Sequence, residues 1–336
     1  MNRPIIVVTN RIHDEVAERL REAGELRVNT ALEPWSPAQL RANVHDASAV
    51  MGFMTDRVDA GLLAAAPSLR IVACALKGLD SYDVQACTEA GVWLSIVPDL
   101  LTAPTAELAI GLAIALGRNV RRGDARVRSG AHLGWRPQLY GTGLDGSVVA
   151  VLGLGLVGRA IVERLRGFGC SRILGFDPAA APVPGVEPCS LQQAVSNADW
   201  LFIAVPLTPK TRHLIGASVL HDAKPGQLIV NVGRGSVVDE ESIATALQSG
   251  RLGGYAADVF EFEDWSLPAA PASVPERLRA AERTVFTPHI GSAVARVRVE
   301  IEHRAASNIL AALSGRRPQD AVNEVGADMA VGSTLG

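Results

Sequence analysis

Three residues in the second half of the chain combine the side chains needed to move a proton beside a bound anion. They are Arg234 in NVGRGSVVDE, Glu263 in DVFEFEDW and His289 in FTPHIGS. Histidine exchanges protons near neutral pH. A carboxylate paired with it fixes its tautomer and stabilises the imidazolium. Arginine forks onto an oxyanion. Taken singly, each has a plain alternative: a surface charge, a solvated acid, a cap or core histidine. Yet each follows an apolar run with strand character, LIVNV, YAADV and TVFT. In an open parallel sheet, ligands bind beyond the carboxyl ends of the strands. Three such residues at three strand ends therefore point to a catalytic site. The remaining histidines (His13, His45, His132, His213, His221, His303) sit in polar or helical contexts and read as surface residues. None has metal-ligand spacing with another, so no metal site is expected.

A second motif supplies a partner for this chemistry. Gly153-Leu154-Gly155-Leu156-Val157-Gly158 follows the apolar run SVVAVL and opens the helical pattern RAIVERLRGFG. Strand, glycine-rich turn and helix together suit a dinucleotide. They provide a tight turn, close backbone approach to a pyrophosphate, and close helix–sheet packing. The helix start offers unpaired N–H groups to the phosphates. The next strand ends at Asp177, where a carboxylate accepts from ribose hydroxyls and repels a 2′-phosphate. Pro178, Ala179 and Ala180 follow, with no Arg to hold such a phosphate. The expectation is NAD rather than NADP.

These residues need a scaffold, and the chain has the rhythm of one. Its 336 residues are about twice an ordinary domain, so two domains are expected. β-rich runs at 5–9, 49–53, 69–75 and 92–97 alternate with helical stretches such as 14–23. A second series has runs at 148–152, 173–176, 201–205, 228–232, 255–259 and 284–287. Such alternation predicts α/β domains with doubly wound parallel sheets. The stretch TAELAIGLAIALGRN (105–119), preceded by Pro104, reads as a helix apolar on every side. Such a helix must be buried, here between domains or subunits. Residues 121–136 read as an exposed basic helix and then a loop. From Gln319 onward small residues predict a frayed tail. The formal net charge of -3 gives no global field for nucleic acid or an anionic membrane. The apolar run Leu108–Leu116 is too short to span a bilayer. The N-terminus has no signal-peptide core. Cys74, Cys87, Cys170 and Cys189 are scattered, as befits a reducing cytoplasm.

The ordered motifs GLGLVG, PLTPKTRHLI, NVGRGSVVDE, GGYAADVFEFED and FTPHIGSA resemble the NAD-dependent D-2-hydroxyacid dehydrogenase family. PTAELAIGLAIALGR (104–118) and AVN (321–323) extend the resemblance. That family often has Pro after the Glu, where this chain has Asp264. The resemblance implies a Rossmann nucleotide-binding domain, 101–291, inserted in a smaller flavodoxin-like substrate domain formed by 1–100 and 292–325. Residues 326–336 would be a flexible tail. It further implies catalysis in an interdomain cleft by Arg234, Glu263 and His289, and a homodimer. The cofactor would meet Lys77, Thr105, Gly153, Gly155, Leu156, Val157, Gly158, Asp177, Val205, Pro206, Val232, Asp258, His289 and Gly291.

Motifs in the first half, GFMTDRVD, CALKGLDSYDV, GVWLSIVPDLLTAPTAE and GWRPQLYGTGL, are similar to the phosphite-oxidising branch of that family, as is FEFEDW. This similarity implies a substrate site lined by Met54, Lys77, Gly78, Leu101, Trp135, Tyr140, Arg234, Ser292 and Arg298. Trp135 and Tyr140 would flank a water-excluding loop. The chemistry of the anion gives a separate argument. A hydroxy acid is a monoanion, held by one Arg and backbone N–H groups. Phosphite is largely a dianion near neutral pH, so a second fixed cation is expected. Only three of the 32 basic residues are Lys (Lys77, Lys210, Lys224), and Lys77 lies just past the run LRIVACA. A compact point charge there fits a small inorganic anion. The plain alternative for Lys77 is an exposed loop lysine. Two other functions stay open: a D-2-hydroxyacid dehydrogenase working as a 2-oxoacid reductase, and a non-catalytic NAD-sensing protein resembling a corepressor.

Overall fold

The computed structural model describes residues 3–264 and 270–326. Two compact units divide the chain. One comprises residues up to Leu101 and from Ala293 onward; the other is Thr102–Ser292.

In chain order the first unit begins with β1 (Ile5–Val8), α1 (Asp14–Ala23), β2 (Glu25–Val28), α2 (Pro37–Val44) and β3 (Ala49–Gly52). It continues with α3 (Ala60–Ala64), β4 (Ile71–Cys74), α4 (Val84–Glu89) and β5 (Trp93–Ser95). The second unit has α5 (Thr102–Gly117), α6 (Val120–Arg128), β6 (Val148–Leu152), α7 (Leu156–Leu165), β7 (Arg172–Phe176), β8 (Glu187–Pro188) and α8 (Leu191–Asn197). It closes with β9 (Trp200–Ile203), α9 (Ala217–His221), β10 (Gln227–Asn231), α10 (Glu240–Gln248), β11 (Leu252–Ala257), α11 (Glu276–Arg279) and β12 (Thr284–Phe286). The last helix, α12 (Ala295–Leu313), returns the chain to the first unit.

Among the described residues each unit is built on one parallel sheet, of order β2-β1-β3-β4-β5 in the first and β12-β11-β10-β9-β6-β7-β8 in the second. The two-sheet α/β architecture expected from the alternation is therefore present. Its central strands are short, apolar runs buried on both faces, as parallel strands covered by helices must be. The edge strand β2 is largely half-buried and the edge strand β8 is exposed. In the first unit β3 and β4 are buried at every residue. The apolar side of α12, Val297, Ile301, Ala305 and Ile309, packs with Ile6, Val8, Met51 and Ile71.

Several expectations are corrected. Helix α5 begins at Thr102, so Pro104 lies inside its first turn. First-turn N–H groups have no intrahelical acceptor, so proline costs no bond there. Its Ala106, Ala109, Ile110, Ala113 and Leu116 pack with Val149, Ile161, Leu165 and Phe202 of its own unit. The opposite side, with Glu107, Gly111 and Ile114, is exposed. The helix thus fills the second unit's own core. The tail is not frayed from Gln319. Asn323 accepts from the Leu94 N–H at 2.8 Å, Asp320 pairs with Arg304 at 2.6 Å, and Ala321 bridges Ser95. Polar side chains supply the anchors that the small residues lack. Residues 327–336, and Trp265 of the FEFEDW motif, lie outside the described residues.

Candidate active site

The second unit brings its functional residues to one end of one sheet. Strands β10, β11 and β12 are sequential neighbours and parallel, so their carboxyl ends emerge together. Arg234 follows β10, Glu263 follows β11 in a 3-10 turn (Glu261–Glu263), and His289 follows β12. His289 Nδ1 and Glu263 Oε2 are 2.6 Å apart, leaving the other ring nitrogen for a reacting group. The His289 side chain is 32% exposed and that of Glu263 is 19% exposed, so the pair is reachable yet partly desolvated.

The backbone around His289 is held by hydrogen bonds to Asp258. His289 has φ +55°, a left-handed conformation that non-glycine residues seldom adopt. Its N–H donates to the Asp258 carbonyl at 2.8 Å. The buried Asp258 carboxylate accepts from Thr287 Oγ1 at 2.6 Å, Ile290 N at 2.8 Å and Gly291 N at 2.7 Å. Burial raises its pKa, against these bonds and the neighbouring His289. A Cβ on Gly291 would stand 3.1 Å from Asp258 and 3.2 Å from Thr105, so these three expected cofactor contacts do lie together. Asp258 thereby has a structural task, locking the histidine loop, that sequence spacing did not reveal.

Arg234 is half-buried, and its loop is fixed by Asn231. The Asn231 side chain donates to the Arg234 carbonyl at 3.0 Å and accepts from Gly233 N at 3.0 Å. Asn231 is fully buried in an otherwise apolar strand, and that polar intrusion in LIVNV was the missed signal.

The glycine-rich turn lies at the end of β6, whose sheet neighbours are β9 and β7. This is the switch point of the sheet, where ligand crevices form. Gly153 has φ +86°, and a Cβ there would lie 2.7 Å from the Ala204 carbonyl oxygen. A Cβ on Gly158 would lie 1.8 Å from the Gly153 carbonyl oxygen. One at Gly155 would meet nothing within 4 Å. Two glycines are therefore required by the protein itself, and the third keeps open space over the start of α7. That is the fit a pyrophosphate needs. Asp177 lies beside the turn, accepting from Leu154 N at 2.8 Å and Ala179 N at 2.9 Å. Val205 and Val232 are buried just past β9 and β10, while Leu156 and Pro206 are exposed and Val157 half-buried.

The first unit gathers part of the expected substrate set. Lys77 and Gly78, both half-buried, follow β4, and Met54 follows its neighbour β3. Arg298, in the first turn of α12, donates to the Ala75 carbonyl at 3.4 Å, two residues before Lys77. Burial lowers the Arg298 pKa, opposed by Glu302. Leu101 packs against the core beneath α12, and Ser292 ends the second unit half-buried. Trp135 and Tyr140 are 79% and 76% exposed on the loop after α6. Among the described residues no group of three or more His, Cys, Asp or Glu side chains is placed to hold a metal, and no helix is long and apolar enough to cross a membrane.

Known proteins resemble this chain in sequence and fold. Residues 110–291 match the family described as D-isomer specific 2-hydroxyacid dehydrogenase, NAD binding domain. The chain is 34% identical over 331 residues to a glyoxylate reductase of Aeropyrum pernix, covering 96% of this chain and 97% of that protein. It is 32% identical over 333 residues to one of Thermococcus litoralis, with 96% and 97% covered. A crystal structure of a protein from Thermus thermophilus matches with a TM-score of 0.87 at 33% identity, covering 95% of this chain and all of that one. An NADPH-dependent glyoxylate/hydroxypyruvate reductase from Sinorhizobium meliloti, in complex with NADP and malonate, matches with a TM-score of 0.84 at 30% identity, covering 96% and 98%. With a catalytic-type His–Glu pair, a dinucleotide turn and relatives over nearly its full length, the chain belongs to the D-isomer specific 2-hydroxyacid dehydrogenase family and carries that family's NAD-binding domain.

Proposed function

We propose that the protein is a phosphite dehydrogenase, oxidising phosphite to phosphate with NAD. The carrying observation is the pair of cations at the carboxyl end of β4, Lys77 and the Arg298 guanidinium bonded to Ala75. Two cations on one unit suit a small dianion better than a monoanion. A bound nicotinamide supplies the hydride acceptor. His289, oriented by Glu263, takes a proton from water as its oxygen bonds to phosphorus and the P–H bond gives up hydride. Arg234 and Lys77 hold the phosphite oxygens while charge builds. Asp177, with no basic residue following it, favours NAD over NADP. A homodimer in a reducing cytoplasm completes the proposal; the four cysteines are free thiols.

A second reading has its own support. The relatives named glyoxylate reductase favour reduction of a small 2-oxo acid over phosphite oxidation. In that case His289 gives its proton to the forming hydroxyl. A panel of phosphite with NAD, and glyoxylate with NADH, followed at the NADH absorbance band, decides between them. The phosphite reading expects the larger kcat/KM for phosphite. Under it, Lys77→Ala raises the phosphite KM roughly 10- to 100-fold, far more than it weakens NAD binding. Larger kcat/KM for glyoxylate, or equal weakening of phosphite and NAD, overturns it.

A further inference from the structure

The segment GFMTDRVD contains more order than a substrate-lining Met54 requires. Phe53 immediately follows β3, and its ring lies under the Arg298 guanidinium, 5.9 Å from carbon to ring centroid. Both polar groups of the Phe53 peptide are gripped by buried side chains. Its N–H donates to Asp56 Oδ2 at 2.7 Å, and its carbonyl accepts from the Tyr82 hydroxyl at 2.6 Å. Thr9 Oγ1 donates to the same Asp56 oxygen. The Tyr82 hydroxyl reaches in because residue 52 is glycine; a Cβ there would stand 2.6 Å from it. On the other side Arg298 is held loosely, by the Ala75 carbonyl at 3.4 Å and by Glu302 at 4.0 Å. Glu302 uses its other oxygen, Oε2, to accept from His13 N and to face His13 Nδ1, both at 2.9 Å. The rigidly held contact over the face of the guanidinium is the ring.

We propose that Phe53 is a positioning residue for the anionic substrate: its clamped ring sets the plane and height of the Arg298 guanidinium beside Lys77. This rests on the reading of Arg298 as a substrate-holding cation. A cation over an aromatic face is attracted by the ring quadrupole, more so when water is excluded. The attraction fixes one plane without neutralising the charge, as a carboxylate would. The guanidinium N–H groups lie in that plane, so fixing it aims them at the oxygens of a small anion. Asp56, Tyr82 and Gly52 act one step further back, by holding Phe53 still.

The test compares Phe53→Leu, which keeps bulk without a π face, with Phe53→Tyr, which keeps the face. Kinetics are run with phosphite and NAD and with glyoxylate and NADH. Loss of the face is expected to raise the anion KM about 3- to 30-fold, with kcat and NAD affinity within about twofold and Phe53→Tyr close to wild type. A second readout needs no turnover: the Arg298 Nε–H NMR resonance, assigned with Arg298→Lys. It moves in the Leu variant and stays in the Tyr variant. Equal KM values and an unmoved resonance in Phe53→Leu overturn the proposal. If wild type turns over neither anion, the dehydrogenase reading fails, while the resonance still decides whether Phe53 orders Arg298. Should Phe53→Leu not fold, Tyr82→Phe frees the Phe53 carbonyl and is expected to raise KM and broaden the resonance; no change in either overturns the proposal.

Discussion

At the residue scale the chemistry rests on a histidine whose partner and backbone are both fixed. Glu263 holds one ring nitrogen, and Asp258 holds the loop at three points. His289→Asn is expected to lower kcat about 100- to 10,000-fold with NAD affinity retained, measured by steady-state rates and by titration of cofactor binding. Beneath the same turn lies a buried acid, Glu240, whose Oε1 accepts the Glu261 N–H at 2.9 Å. Its Oε2 has no hydrogen-bond partner. Burial pushes its pKa up to about 7, with the nearby carboxylates of Glu261, Glu263 and Asp264 adding to the rise. The folded protein thus binds this proton more tightly than the unfolded chain, where a Glu titrates near its ordinary value of about 4.3. The stabilisation is complete below that lower value and is lost as pH rises through about 7. It amounts to about 4 kcal/mol. Denaturant melts from pH 4 to pH 8 should show a steeper decline in wild type than in Glu240→Gln, whose amide oxygen still accepts the Glu261 N–H; the raised carboxyls of Asp56 and Asp258 contribute equally to both. An equal slope in both proteins would remove Glu240 as its source.

At the scale of elements, the β6–α7 turn separates what the fold requires from what a ligand requires. Gly158→Ala drives a methyl into the Gly153 carbonyl, at 1.8 Å, and should destabilise the protein by about 2 kcal/mol or more. Gly155→Ala meets no protein atom within 4 Å, so its melting temperature should match wild type while NAD affinity falls about tenfold or more. Calorimetric melts and NAD titrations of the two variants check both outcomes. The same turn shows why some features were legible in sequence. Strand, glycines and acid are contiguous and obey a fixed spacing. By contrast, β2 and β8 were not assigned. Glu25–Val28 alternates weakly and Glu187–Pro188 is two residues long, so neither carries a period. Helix α5 hid its start because a first-turn proline looks like a boundary. Asn231 and Asp258 were legible as residues and not as loop locks, since their partners come from backbone geometry that spacing does not encode.

At the scale of the whole molecule, the chain contributes two parallel-sheet units with different cargo. The second carries the dinucleotide turn, Arg234 and the His289–Glu263 pair; the first carries Lys77 and the Phe53–Arg298 stack. Family and cofactor class were readable from contiguous motifs in the second unit. The substrate was harder to read, because it is set by a few cations on a common scaffold, and fold alone does not settle function. Relatives named glyoxylate reductase share the scaffold over nearly its full length, so the choice of anion is where this protein must be tested. The most direct measurement follows deuterium from P–D phosphite into the reduced cofactor by mass spectrometry, using purified protein and NAD. The account predicts stoichiometric transfer of the label with formation of phosphate. Absence of labelled NADH, with glyoxylate readily reduced by the same preparation, would contradict it.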